Sequence, residues 1–161
     1  MTYSIQCKGA RTEGIGVRGL DHVHIRVIDR TKAAEWYLRV LGLEPASELS
    51  EWAIDPEGPL FLSTREGRHC LALVQGNTEH NRSGDHTVAF IVSASDFIAF
   101  MNELNDLRLV DRDGSKVSRN DIVDHHLSWS IYFLDPDGNR FELTSYEYTE
   151  IEAHIQQKAR S

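Results

Sequence analysis

The chain repeats itself, and that constrains its fold more than any other feature. Val23, Ile25 and Val27 recur as Val88, Phe90 and Val92 at one constant offset, and "LFLSTREG" at 60–67 has its counterpart in "IYFLDPDG" at 131–138. Each copy reads as a strand, a helix and three further strands. In the first, "LDHVHIRVI" alternates, with Val23, Ile25 and Val27 on one face and His22, His24 and Arg26 on the other. "DRTKAAEWYLRVLG" then sets Ala33, Ala34, Tyr37, Val40 and Leu41 at helical spacing, with Asp29 or Thr31 as cap and Gly42 as stop. "LEPASELSEWAI", "PLFLSTREG" and "CLALVQG" follow as three short strands between turn residues. The second copy runs strand "TVAFIV", helix "SDFIAFMNELNDL", then strands "RLVDR", "SWSIYFLD" and "NRFELTSY".

A unit with one helix and a half-polar sheet cannot bury both faces of its strands, so the two must pair. The expected fold is α+β: two paired βαβββ modules forming a curved mixed sheet, a half-barrel around a cleft. If the helices cover one face of each sheet, His22 and His24 line the opposite, cleft face. Module one spans 19–76 and module two 84–146, within one domain at 19–146. Residues 1–18, with Gly9, Gly14 and Gly16, read as an arm, and 147–161 as a helical tail in which Ile151 and Ile155 stand one turn apart. The polar stretch 110–127 reads as a lid or as a solvated hairpin.

The 161 residues carry 25 acidic and 17 basic side chains, a formal net charge of −8. That balance disfavours nucleic acid and anionic membrane surfaces and leaves a small molecule as the expected partner. No apolar run is long enough to span a bilayer, and the polar opening "MTYSIQCKGARTEG" lacks the apolar core of a secretory signal. The cytoplasm is the expected compartment. Cys7 and Cys70 are too few for a disulfide framework or a thiolate metal site.

No nucleophile elbow or phosphate-binding glycine loop is present, so histidine and carboxylate chemistry remains. His22, His24, His86, His125, His126 and Glu142 fall at or beside strands, and imidazole with carboxylate suits Fe(II), Mn, Ni or Zn. His24 shares the face of His22, as a catalytic acid/base, a substrate contact or a hydrogen-bonded histidine of a polar interior. Ser130 and Tyr132 share a face on the strand before "DPDG", while that turn itself serves to position Glu142.

"LDHVHIRVIDRTKAAEWYLRVLGLEP" at the front and "SIYFLDPDGNRFELTSY" at the back, on paired βαβββ units, resemble the vicinal oxygen chelate superfamily, which includes glyoxalases, extradiol dioxygenases and bleomycin-resistance proteins. The resemblance covers roughly residues 20–146. It implies a glyoxalase-like domain in which a divalent metal, held from cleft-facing strands, binds a substrate through two neighbouring oxygens. The first ligand falls on His22 and the last on Glu142. The middle one falls on Thr87, with His86 one residue earlier and therefore on the other face of a regular strand; either a bulge re-aims His86, or His24 or a histidine of 110–127 has to substitute. In the "DHH" run at 124–126, His126 has the parity of Ser130 if that strand extends back so far, as an acid/base or substrate clamp or else as a residue of a solvated loop. The resemblance also implies substrate contacts from the strand of Ser130, hydrogen bonding to an oxyanion from Tyr132, a substrate contact from Thr87 where it is not a ligand, and a homodimer whose cleft takes its first ligand from one chain and its last from the other. Two functions follow as expectations: a metal-dependent lyase, isomerase or extradiol-type dioxygenase, or a metal-free sequestration protein of the bleomycin-resistance type.

Overall fold

In the computed structural model, residues 20–78 and 86–159 are described; the arm predicted at 1–18 lies outside them. The elements run β1 (Val23–Val27), α1 (Arg30–Leu41), β2 (Glu44–Pro45), β3 (Leu60–Ser63), β4 (His69–Gln75), β5 (Val88–Ile91), α2 (Ala94–Leu107), β6 (Val123–Asp124), β7 (Trp129–Leu134), β8 (Arg140–Ser145) and α3 (Tyr148–Ala159). The sequence repeat is a repeat of topology. Two four-stranded mixed sheets have the orders β1-β4-β3-β2 and β5-β8-β7-β6, with β1 parallel to β4 and β5 parallel to β8.

Local chemistry sets the helix ends. Asp29 accepts from the N–H groups of Thr31 and Lys32 to start α1, and Gly42, at φ 64°, closes it in the left-handed region. Ser93 caps α2 by accepting from the Asp96 N–H.

Two predicted strands form differently. Most of "LEPASELSEWAI" folds as a 3₁₀ helix at Ser47–Ala53, and only Glu44–Pro45 pairs as a strand. The apolar residues Leu49 and Trp52 are three apart, and both turn back toward Phe61 of β3, so their contact follows a helical period rather than alternation. "RLVDR" makes only isolated bridges, Val110 to Lys116 and to Leu134. There the Asp111 carboxylate accepts from the N–H groups of Asp113 and Ser115 and reverses the chain, so the fourth strand of the second sheet comes from Val123–Asp124.

One core joins the modules. Ile25 and Val27 of β1 and Leu71 and Leu73 of β4 are buried with Ile131 and Phe133 of β7 and Phe141 and Leu143 of β8. The α1 side chains Trp36 and Tyr37 bridge the two sheets, Trp36 with its ring centroid 6.3 Å from Phe133 and Tyr37 5.5 Å from Phe141. The Tyr37 hydroxyl donates to buried Asp135 at 2.5 Å, and Asn139 donates from its side chain to the Arg26 carbonyl. Helix α3 docks on this core through Ile151 and Ile155. The apolar faces of both sheets therefore turn inward, and the faces carrying His22 and Glu142 turn away from the shared core.

Candidate metal and substrate site

The polar face of the first sheet carries a histidine cluster. Alternation along β1 projects His24 beside Ala72 of β4, which in turn pairs with Phe61 of β3. His22, just before β1, has its ring edge against Phe61 at 4.9 Å. Its Nδ1 lies 2.6 Å from Asp21 Oδ2, and its Nε2 faces His24 Nε2 at 3.0 Å. The other Asp21 oxygen is 3.1 Å from His69 Nε2. These bonds, first that to His22 and then that to His69, hold the Asp21 carboxyl below its ordinary range.

Sequence alternation missed His69, and the reason is local. Plain alternation puts His69 on the inward face of Leu71 and Leu73, but the register slips there: Leu62 pairs with Leu71 and Ser63 with His69, leaving Cys70 as the extra residue. The bulge turns His69 to the histidine face, where its ring lies 6.0 Å from Phe61. Among the described strand pairs the register shift lies here, beside His69, and not at His86. Cys70 is half-buried, and burial pushes its thiol pKa up.

The second sheet presents a different set. Tyr132 of β7 and Glu142 of β8 are direct cross-strand partners. The Ser130 hydroxyl donates to Glu142 Oε1 at 2.7 Å. Burial, and then the Glu142 charge, push the Tyr132 phenol above its usual pKa, so it stays a protonated donor. His125 Nε2 is 3.1 Å from the Tyr132 hydroxyl. The Arg140 guanidinium sits 4.6 Å over the Tyr132 ring and donates to Thr87 Oγ1 at 2.8 Å.

That last bond puts Thr87 on the Glu142 face, as the pairing of Ala89 with Glu142 requires. His86 has the opposite parity and is exposed just before β5. His126 is exposed as well: β6 ends at Asp124, and the chain turns through His126 at φ 66°, so strand parity does not carry it toward Ser130. From the "DHH" run it is His125 that reaches Tyr132.

The structure thus brings together His22 with His24, and Ser130, Tyr132, Thr87 and Glu142 with Arg140. It does not join the two sets: no hydrogen bond, ion pair or ring contact links Asp21, His22, His24 or His69 to Ser130, Tyr132, Arg140 or Glu142. Among the described residues, the metal-ligating side chains converging as a group of three are Asp21, His22 and His69. The donor chemistry fits a divalent ion. With Nδ1–H of His22 committed to Asp21, its Nε2 carries the lone pair a metal needs, and Ser130 steadies a Glu142 oxygen in the same way. Among the described residues no helix is long and apolar enough to cross a membrane.

Two βαβββ modules, each with a four-stranded mixed sheet and a helix, define a vicinal oxygen chelate fold. The sequence pattern of the Glyoxalase/Bleomycin resistance protein/Dioxygenase superfamily matches residues 19–143, and the chain belongs to that superfamily. The solved structures it resembles include the genomically encoded fosfomycin resistance protein FosX from Listeria monocytogenes, at TM-score 0.59 and 16% identity over 84% of this chain and 99% of that one. FosX from Mesorhizobium loti superposes with TM-score 0.56 and 23% identity, covering 86% of this chain and 99% of its own. The oxidase ChaP-H2 does so with TM-score 0.57 and 20% identity, covering 81% and 94%. The Listeria protein is also known in complex with Mn(II) and sulfate. A comparison with curated proteins returned no match.

Proposed function

We propose that the protein is a metal-dependent vicinal oxygen chelate enzyme acting on a small molecule with neighbouring oxygens. His22 and Glu142 would hold the divalent ion. The observation that carries this reading is the preparation of both side chains for coordination: Asp21 orients the His22 ring and Ser130 orients the Glu142 carboxylate. When bound, such an ion acts as a Lewis acid toward the substrate oxygens.

The chain's own groups do the rest. Tyr132, kept protonated, donates a hydrogen bond to oxygen where negative charge develops, and the His125 ring at its hydroxyl orients it. Arg140 offers a guanidinium to an anionic substrate group. Phe61 and the half-exposed Trp52 form an apolar wall beside the histidines.

The two outward-facing sets support assembly of the site between two copies of the chain, as a homodimer with one cleft from the first sheet of one copy and the second sheet of the other. Among the described residues β1 and β5 are edge strands of their sheets, which supports a meeting of the two sheets there. The experiment is metal analysis of untagged protein with the variants His22→Ala and Glu142→Ala. Near one divalent ion per chain in the parent, lost in both variants, supports the enzyme. No ion after addition of Fe(II), Mn(II), Ni(II) or Zn(II) overturns it and favours sequestration of a ligand, a reading for which Thr87 in place of a third ligand speaks.

A further inference from the structure

We propose that His24 supplies the ligand that Thr87 does not, so that the ion is gripped by two imidazoles of one strand segment, His22 and His24, together with Glu142. This rests on the metalloenzyme reading above. It assigns His24 to the metal rather than to proton transfer.

Three observations converge. The position just before β5 on the Glu142 side holds a threonine whose oxygen is taken by Arg140, and the neighbouring His86 is exposed. A metal held by His22 and Glu142 alone would lack a third side chain from the second sheet.

His22 and His24, two residues apart on one face, share a hydrogen bond between their Nε2 atoms at 3.0 Å, with ring centroids 5.0 Å apart. Two nitrogens each about 2.1 Å from one ion and at right angles to one another also lie about 3 Å apart, so an ion that displaces the shared proton can take both rings at their present spacing. The His22 ring is held by Asp21 at Nδ1 and by its edge-to-face contact with Phe61. That leaves its Nε2 beside the Nε2 of His24.

The surroundings are built for this pair. The bulge at Cys70 turns His69 toward Asp21, so the carboxylate is anchored through one oxygen while it orients His22 through the other. His69 is thereby a positioning residue. Two imidazoles and one carboxylate leave open positions on the ion for two substrate oxygens or for dioxygen, and they select Fe(II), Zn(II), Co(II) or Ni(II) over Mg(II) or Ca(II).

The test loads the full-length protein with Co(II) or Zn(II), counts imidazole ligands by X-ray absorption, and measures affinity by titration, with circular dichroism as the folding check. The parent should show two imidazoles. His24→Ala should show one and bind about tenfold or more weakly. His24→Gln should match it, His86→Ala should match the parent, and Thr87→His should restore the second imidazole in the His24→Ala background. An unchanged imidazole count in folded His24→Ala and His24→Gln, or loss of one in His86→Ala, overturns the assignment of His24 and leaves the metalloenzyme standing. Failure of the parent to bind any of these ions sinks both.

Discussion

Asp21 holds two histidines at once, His22 Nδ1 at 2.6 Å and His69 Nε2 at 3.1 Å, although its own side chain is 72% exposed. An exposed carboxylate contributes little to folding, so its use lies in orienting the rings. Asp21→Ala should leave the thermal midpoint unchanged within error and weaken metal affinity by about 10- to 100-fold, with the imidazole count preserved. Titration calorimetry reads the affinity. Parent-like affinity would mean that Phe61 alone positions His22.

The first-sheet histidines and Glu142 face away from a common core, and the proposed site between two chains has a genetic test. His22→Ala and Glu142→Ala should each abolish metal binding. In a heterodimer of the two, one cleft carries both substitutions and the other carries neither. Purified heterodimers bearing two different tags should therefore regain one ion per dimer. If both ligands served one site within a chain, the heterodimer would bind none.

Tyr37 and Asp135 tie α1 to the β7–β8 turn. Burial raises the folded pKa of Asp135, while the Tyr37 hydroxyl and Asn139 pull it back. Stability from such a group is fully present below its unfolded pKa and is lost as pH rises through the folded one. Tyr37→Phe removes a stabilising donor and raises that folded pKa further. Urea unfolding should show a loss of about 1–3 kcal/mol, larger at pH 7 than at pH 4. A pH-independent loss would assign the effect to packing.

Gly42 stops α1 at φ 64°, donating its N–H to the Leu38 carbonyl, and a Cβ there would stand 3.4 Å from the Arg65 guanidinium. The backbone conformation decides the outcome, since Arg65 can move. Gly42→Ala should cost about 1 kcal/mol, and Gly42→Asn less, because asparagine tolerates the left-handed region. Equal midpoints for parent and Gly42→Ala in a thermal melt would contradict this.

Much of the architecture could be read along the chain. The alternation of Val23, Ile25 and Val27, the Asp29 cap, the Gly42 stop and the repeat of the whole pattern in the second half are interactions between residues a few positions apart. They foretold β1, α1 and the paired modules. The same local reasoning put Ser130 and Tyr132 on one face of their strand, and the cross-strand register and the Ser130–Glu142 bond bring Glu142 to that face. It misread residues 47–53 because Leu49 and Trp52 choose their period by packing on Phe61, a partner distant in sequence.

His69 shows most sharply where reading along the chain ends. Nothing near it announces that Cys70 drops out of register with β3, because a bulge is a relation between two strands rather than a property of one. The separation of the His22 and Glu142 sets is of the same kind. The residue types at 22, 24 and 142 offer imidazole and carboxylate donors, and they follow from the sequence alone, as does the threonine at 87. Which of those groups can meet depends on the shared core built around Trp36 and Tyr37, which turns both ligand faces outward. Side-chain pattern is local, whereas the direction in which a whole sheet faces is settled by what its other side buries.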